Sequence, residues 1–211
     1  MRALGPYVLA VALLPACVAQ QWQLGAAGGF GIAKNLTVSS GSGSATTGFK
    51  GGLAASAFAG HHLYSHLAGE FRYTYRFGDL KLSSGGTEYT FGGLMHAVHY
   101  DLQVYPTRQD AAVRPFIAGG GGVRLYRGTG TEHAFQPLSS FAILTKTSEV
   151  TGLITAGGGV QIKVAPHLYL RIEIRDYITP VPKQVLTPGP RAKIGGWVHD
   201  FTPLGGISFG F

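Results

Sequence analysis

The chain has 211 residues, 33 of them glycine, with 45% hydrophobic and only 13% charged residues and a formal net charge of +7. Glycine at about twice its usual share weakens helices, and low charge combined with abundant apolar residues excludes a disordered chain. No Gly-x-y period occurs, so a collagen helix is excluded as well, and a glycine-rich all-β protein or a membrane protein remains.

In chain order, the first element is an export signal. Arg2 is the lone charge among the first twenty residues, Val8 to Leu14 form a short apolar run, and Pro15 precedes the small residues Ala16-Cys17-Val18-Ala19. This layout predicts a secretory signal peptide over 1–19, cleaved after Ala19, and a mature domain over 20–211. The apolar run is too short to cross a bilayer as a helix. Leu14-Pro15-Ala16-Cys17 also reads as a lipoprotein signal, although Pro15 fits that pattern poorly. Cleavage after Ala19 would remove the single cysteine, and with it any disulfide or cysteine-based metal site. The basic residues are scattered with no run of Lys or Arg, which argues against nucleic acid as a partner.

Beyond residue 20 the pattern has period two, the signature of strands. Eight are predicted, over about 21–33, 48–60, 66–78, 87–104, 115–127, 149–164, 167–178 and 196–211. In the third, Leu67, Gly69, Phe71, Tyr73, Tyr75 and Phe77 share one face, and Glu70, Arg72, Thr74 and Arg76 share the other. In the fourth, Val98, Tyr100, Leu102 and Val104 oppose His99, Asp101 and Gln103. That register turns His96 to the apolar side, and a bulge near Gly92-Gly93 would relieve it. In the seventh, Leu168, Leu170, Ile172 and Ile174 oppose Arg171, Glu173 and Arg175. The connections alternate between short ones, near His61-His62, 105–114 and 165–167, and long ones at 34–47, 79–86, 128–148 and 179–195. The serine–glycine run 39–44 reads as flexible, and Pro180, Pro182, Pro188 and Pro190 read as unable to join a ladder.

Several of these strands run 11–16 residues, long for a soluble sheet but sufficient for a tilted strand to cross hydrocarbon. Trp22, Tyr75, Phe77, Tyr89 and Tyr177 fall near strand ends, as interfacial aromatics do. The expected fold is therefore all-β, an eight-stranded antiparallel up-and-down transmembrane barrel. A lipocalin-like soluble barrel is the alternative.

The chain finishes with apolar Ile207, Phe209 and Phe211 alternating with Ser208 and Gly210. This terminus resembles the signal by which outer-membrane proteins are handed to their insertion machinery. With the export signal and eight strands, the chain resembles the small eight-stranded outer-membrane barrels, the OmpA transmembrane domain and OmpX among them. The resemblance implies a bacterial outer-membrane location, surrounding lipid and the insertion machinery as partners. It rests on pattern and terminus. The chain stops at the barrel, so the peptidoglycan anchoring of OmpA is not carried over.

A barrel of this size is just filled by its own side chains. Glu70, Arg72, Arg76, Asp101, Lys163, Arg171, Glu173 and Arg175, with Arg124, are expected in the lumen. Three acids would face six bases, either as a packed polar plug or as a narrow or gated anion-preferring pore. Catalytic motifs do not emerge. Gly206-Ile207-Ser208-Phe209-Gly210 matches a nucleophile elbow by spacing, but one residue follows it, leaving no room for a downstream acid and histidine. His61, His62, His66, His96 and His99 lack an acid at a persuasive spacing, so no metal or other cofactor is expected. Lipid A deacylases share a His-x-Ser pair that this chain lacks, which leaves an outer-membrane lipid-modifying enzyme as a lesser alternative. The glycine runs 119–122 and 157–159 read as sites of curvature or close packing rather than phosphate loops. The leading expectation is a non-enzymatic barrel with a structural or surface-interaction role. Its long loops, above all Phe135, Phe141, Ile143 and Leu144 within 128–148, are the candidates for touching an external partner.

Overall fold

Strands and connecting turns, with no helix, make up residues 22–41 and 43–211, the residues that the computed structural model describes. The export-signal reading of residues 1–19 lies outside them. In chain order the strands are β1 (Trp22–Ala33), β2 (Leu36–Ser40), β3 (Gly43–Phe49), β4 (Gly52–Tyr64), β5 (Leu67–Phe77), β6 (Leu80–Ser84), β7 (Thr87–Phe91), β8 (Gly93–Val104), β9 (Val113–Gly128), β10 (Ala142–Leu144), β11 (Ser148–Ala165), β12 (Leu168–Pro180), β13 (Leu186–Pro188), β14 (Lys193–Ile194) and β15 (Trp197–Gly210).

Eight of these close into an antiparallel barrel in the order β1-β15-β12-β11-β9-β8-β5-β4. They are the eight strands expected from the alternation, with two corrections. The strand expected over 48–60 is β4, Gly52–Tyr64, so His61 and His62, expected at a turn, lie inside its ladder. The expected strand 87–104 is two strands. It breaks at Gly92, where β7 leaves the barrel and β8 remains in it. Within β8 the ladders to β5 and β9 run without interruption, so no bulge relieves His96. His96 does face outward, and the Tyr73 hydroxyl lies 2.7 Å from its Nδ1, which gives the polar ring a partner.

Period two sorts the side chains. The outer surface carries Leu24, Leu53, Phe71, Phe77, Leu102, Ile117, Val150, Ile154, Ile172 and Ile207, all exposed. An apolar surface continuous around a barrel is what hydrocarbon requires and what water opposes. Trp22 and Phe77 are exposed on it as expected. Tyr177 is not: it is 1% exposed, points into the lumen, and its hydroxyl lies 3.0 Å from that of Thr74. Tyr89 lies beyond the barrel, packed against the cluster described next.

The long connections do not remain loops. At the end of the barrel opposite the short turns, β14-β2-β3-β6-β7 form a five-stranded sheet and β10 pairs with β13. Their short alternating runs point Leu36, Val38, Phe49, Leu80, Leu82, Leu144, Val185, Leu186 and Ile194 into one buried cluster, continuous with Met95 and Tyr126 at the barrel rim. Phe49 stacks on Tyr126 with ring centroids 5.1 Å apart. The run expected to be flexible, 39–44, contributes to the β2–β3 pairing, with Ser39 opposite Ser44 and Ser40 opposite Gly43. Pro180 and Pro188, expected outside any ladder, stand opposite Trp197 at the end of β12 and opposite Ala142 at the end of β13. This cap packs against one end of the barrel.

Candidate functional site

The inward positions divide between large charged side chains and very small residues. β5 supplies Glu70, Arg72 and Arg76, β8 supplies His99 and Asp101, β9 supplies Arg124, β12 supplies Arg171, Glu173 and Arg175, and β15 supplies Asp200; all are buried. The facing positions on β9 and β11 are glycines because no space remains for a side chain. A Cβ at Gly120 would collide with the Tyr100 carbonyl and the Asp101 side chain, and one at Gly159 with the Ile172 carbonyl and the Glu173 Cβ.

Two charge clusters result. In the first, three arginines meet three carboxylates. Arg171 donates to Glu70 Oε2 at 2.5 Å and to Glu173 Oε2 at 3.1 and 3.2 Å. Arg175 donates to Glu173 Oε2 at 3.0 Å, to Glu70 Oε1 at 3.2 Å, and to Asp101. Arg72 donates to Glu70 Oε1 at 2.9 Å and to Ser56 Oγ at 2.9 Å, and its Nη2 lies 2.7 Å from Glu173 Oε1. Asp101 also accepts a hydrogen bond from the Thr155 hydroxyl at 2.5 Å, and His99 Nδ1 lies 2.9 Å from it. Arg72 and Arg171 cover the Phe58 ring at 4.6 and 4.7 Å.

The second cluster, nearer the cap, has a single acid. Asp200 pairs with Arg124, and Arg76 Nε lies 3.4 Å from its other oxygen. Arg76 donates further to the Gly31 and Lys50 carbonyls, each at 3.0 Å. The cavity among Arg76, Arg124, Met95 and Tyr177 amounts to about 10 Å³, about one water-sized sphere.

Eight of the nine charged residues expected in the lumen are there. Lys163 is the exception: it has the inward phase but lies in the last turn-ward positions of β11 and is exposed at the barrel mouth. His99, placed on the face of Asp101 by alternation, is buried there. Two charged inward groups were missed. Asp200 lies on a strand whose alternation was recognised, so its phase was available. Arg114 is 3% exposed, one residue before the expected start of its strand, and sits 4.0 Å over the Tyr105 ring.

The loop residues split. Phe135 is 78% exposed and Ile143 is exposed at the surface. Phe141 and Leu144 are buried in the cap core, so they cannot touch a partner. Ile143 and Leu144 adjoin in β10, where alternation turns one out and the other in. Ile207, Phe209 and Phe211 are exposed on the outer surface at the short-turn end.

The family model described as outer membrane protein β-barrel domain matches residues 9–185, most of the chain. The chain belongs to that family. It therefore resides in the bacterial outer membrane with lipid around the barrel; in barrels of this kind the short turns face the periplasm and the longer connections the cell exterior. Its fold is similar to that of OprG from Pseudomonas aeruginosa, with a TM-score of 0.60 at 12% identity over 90% of this chain and 95% of that one. It is also similar to neisserial surface protein A, with a TM-score of 0.55 at 13% identity over 90% of this chain and 97% of that one. At these identities the likeness is one of fold. No curated protein matches the chain.

Proposed function

We propose that this is a non-catalytic, non-conducting barrel that displays its folded β-cap at the cell surface for contact with an external partner. The observation that carries this reading is the cap's own buried core, from Leu36 and Val38 through Leu144 and Leu186 to Ile194. Seventeen buried residues in one cluster, three of them (Met95, Tyr126 and Val198) from the barrel strands beneath, hold the connections as a shaped surface rather than as tethers. The lumen supports the same reading. Each buried carboxylate is tied to at least one arginine, which makes it a counter-ion rather than a free acid or base. Residues 1–19 serve as the export signal in this account, and Ile207, Phe209 and Phe211 present the insertion signal.

Two measurements test it. Refolded protein in a planar bilayer is expected to be electrically silent, and discrete anion-favouring steps would replace this reading with a pore. Bacteria displaying the protein should adhere to polystyrene and to one another better than bacteria displaying a variant with shortened β2–β3 and β6–β7 hairpins. Equal adherence, with both barrels shifting on boiled and unboiled gels, would refute the surface role.

A further inference from the structure

We propose that the periplasmic mouth of the barrel is a binding site for a phosphate group, centred on Arg114. A cavity of about 180 Å³ opens there, lined by Arg114, Lys163, His62, His167, Gln161 and Trp22 among others. One water-sized sphere needs roughly 10–15 Å³ on this measure, so the space admits a tetrahedral oxyanion together with solvent. Among the residues lining it are two fixed cations, two histidines, no aspartate or glutamate, and Phe211, whose terminal carboxylate forms no ion pair with Arg114 or Lys163.

Arg114 is the anchor. It is 3% exposed, and neither its Nε nor its Nη2 has a hydrogen-bond partner. Among the described residues no carboxylate lies within salt-bridge distance of Arg114 or Lys163. The lumen acids cannot serve, because Glu70, Glu173 and Asp101 are matched one for one by Arg72, Arg171 and Arg175. The face of Tyr105 holds the guanidinium in place at 4.0 Å. A buried guanidinium with idle donors is costly unless an anion meets it, and its planar fork suits two phosphate oxygens. His62 Nδ1 is a further buried nitrogen without a partner in the same wall. Lys163, exposed at the rim, adds a mobile second charge.

Phosphate could reach this mouth as the free ion or as the headgroup of a phospholipid in the adjoining leaflet. Trp22 lines the cavity and reports occupancy. The chain's other tryptophan, Trp197, begins β15 at the opposite end, so Trp197→Phe isolates the signal. That variant, refolded in a maltoside micelle, would be titrated with sodium phosphate at constant ionic strength set with chloride. A saturable change in Trp22 emission is expected, with half-saturation at least tenfold higher in Arg114→Gln and severalfold higher in Lys163→Gln. Boiled and unboiled gels confirm that each variant is folded, and Lys163→Gln carries the test if Arg114→Gln does not fold. Absence of saturation overturns the proposal, as does half-saturation unchanged by substitution in the folded variants. Titration with dihexanoylphosphatidylglycerol separates the sources. Half-saturation tenfold below that of inorganic phosphate assigns the site to a lipid headgroup, and equal or weaker binding assigns it to the free ion.

Discussion

Replacing Asp200 with alanine should destabilise the barrel more than replacing Glu173, although Glu173 makes the larger number of contacts. Glu173 touches Arg72, Arg171 and Arg175. Without it, Glu70 remains against all three, and Asp101 remains against Arg175. No arginine of that cluster would be left without a carboxylate. Asp200 has no such reserve. It is the carboxylate paired with both Arg76 and Arg124, and its loss strands two buried guanidinium groups beside a cavity too small to hydrate them. Removing one partner of a buried pair costs about 3–5 kcal/mol, which places Glu173→Ala at about 3 and Asp200→Ala at about 5 kcal/mol. The difference of about 2 kcal/mol is roughly a thirtyfold change in the folding equilibrium. Urea unfolding in phospholipid vesicles, read by migration of unboiled samples, measures both. Asp110→Ala, at the exposed pair with Arg108, is the control and should change nothing measurable. A Glu173→Ala variant as damaged as Asp200→Ala, or an Asp200→Ala variant indistinguishable from wild type, would refute the reasoning.

The cap should yield separately from the barrel. Leu144→Ala removes a fully buried side chain from the cap core and should cost about 2–5 kcal/mol there; limited proteolysis should then cut the cap while the barrel still shifts on the gel. Phe135→Ala, at an exposed position, should leave the cleavage pattern unaltered. Gly159→Val should abolish refolding, because its side chain needs the space held by the Ile172 carbonyl and Glu173, whereas Gly152→Val should refold, since a Cβ there meets nothing. Glu88 of β7 is held below the ordinary glutamate range by its hydrogen bond to Lys50 and then by Lys81. Its contribution to the hairpin is present above the ordinary glutamate pKa and is lost as pH falls through the lowered one. A carboxyl carbon-13 NMR titration should show a midpoint below that of free glutamate, and loss of that depression in Lys50→Gln.

The barrel was legible because lipid and lumen impose opposite demands on alternate residues. Leu168, Leu170, Ile172 and Ile174 can face only hydrocarbon, which fixes Arg171, Glu173 and Arg175 inward before any partner is known. The same rule located Glu70, Arg72 and Arg76, and carried the strand bounds to within a few residues everywhere except at β4 and at Gly92. Alternation specifies a face but not a depth along the strand. Lys163 shares the phase of the lumen residues yet ends at the mouth in solvent, whereas Tyr177, taken for an interfacial aromatic from its place near a strand end, has the phase of Arg175 and turns inward to Thr74 as that phase requires. The partners of each charge were likewise beyond local pattern, since Glu70 and Arg175 are 105 residues apart in the chain and meet only when the barrel closes. The cap was hidden for a related reason. Its strands are two to seven residues long, too short for a period to stand out from the connections around them. Only their convergence at one end of the closed barrel buries Val38, Leu82, Leu144 and Leu186 together, and burial, rather than local propensity, makes them a sheet.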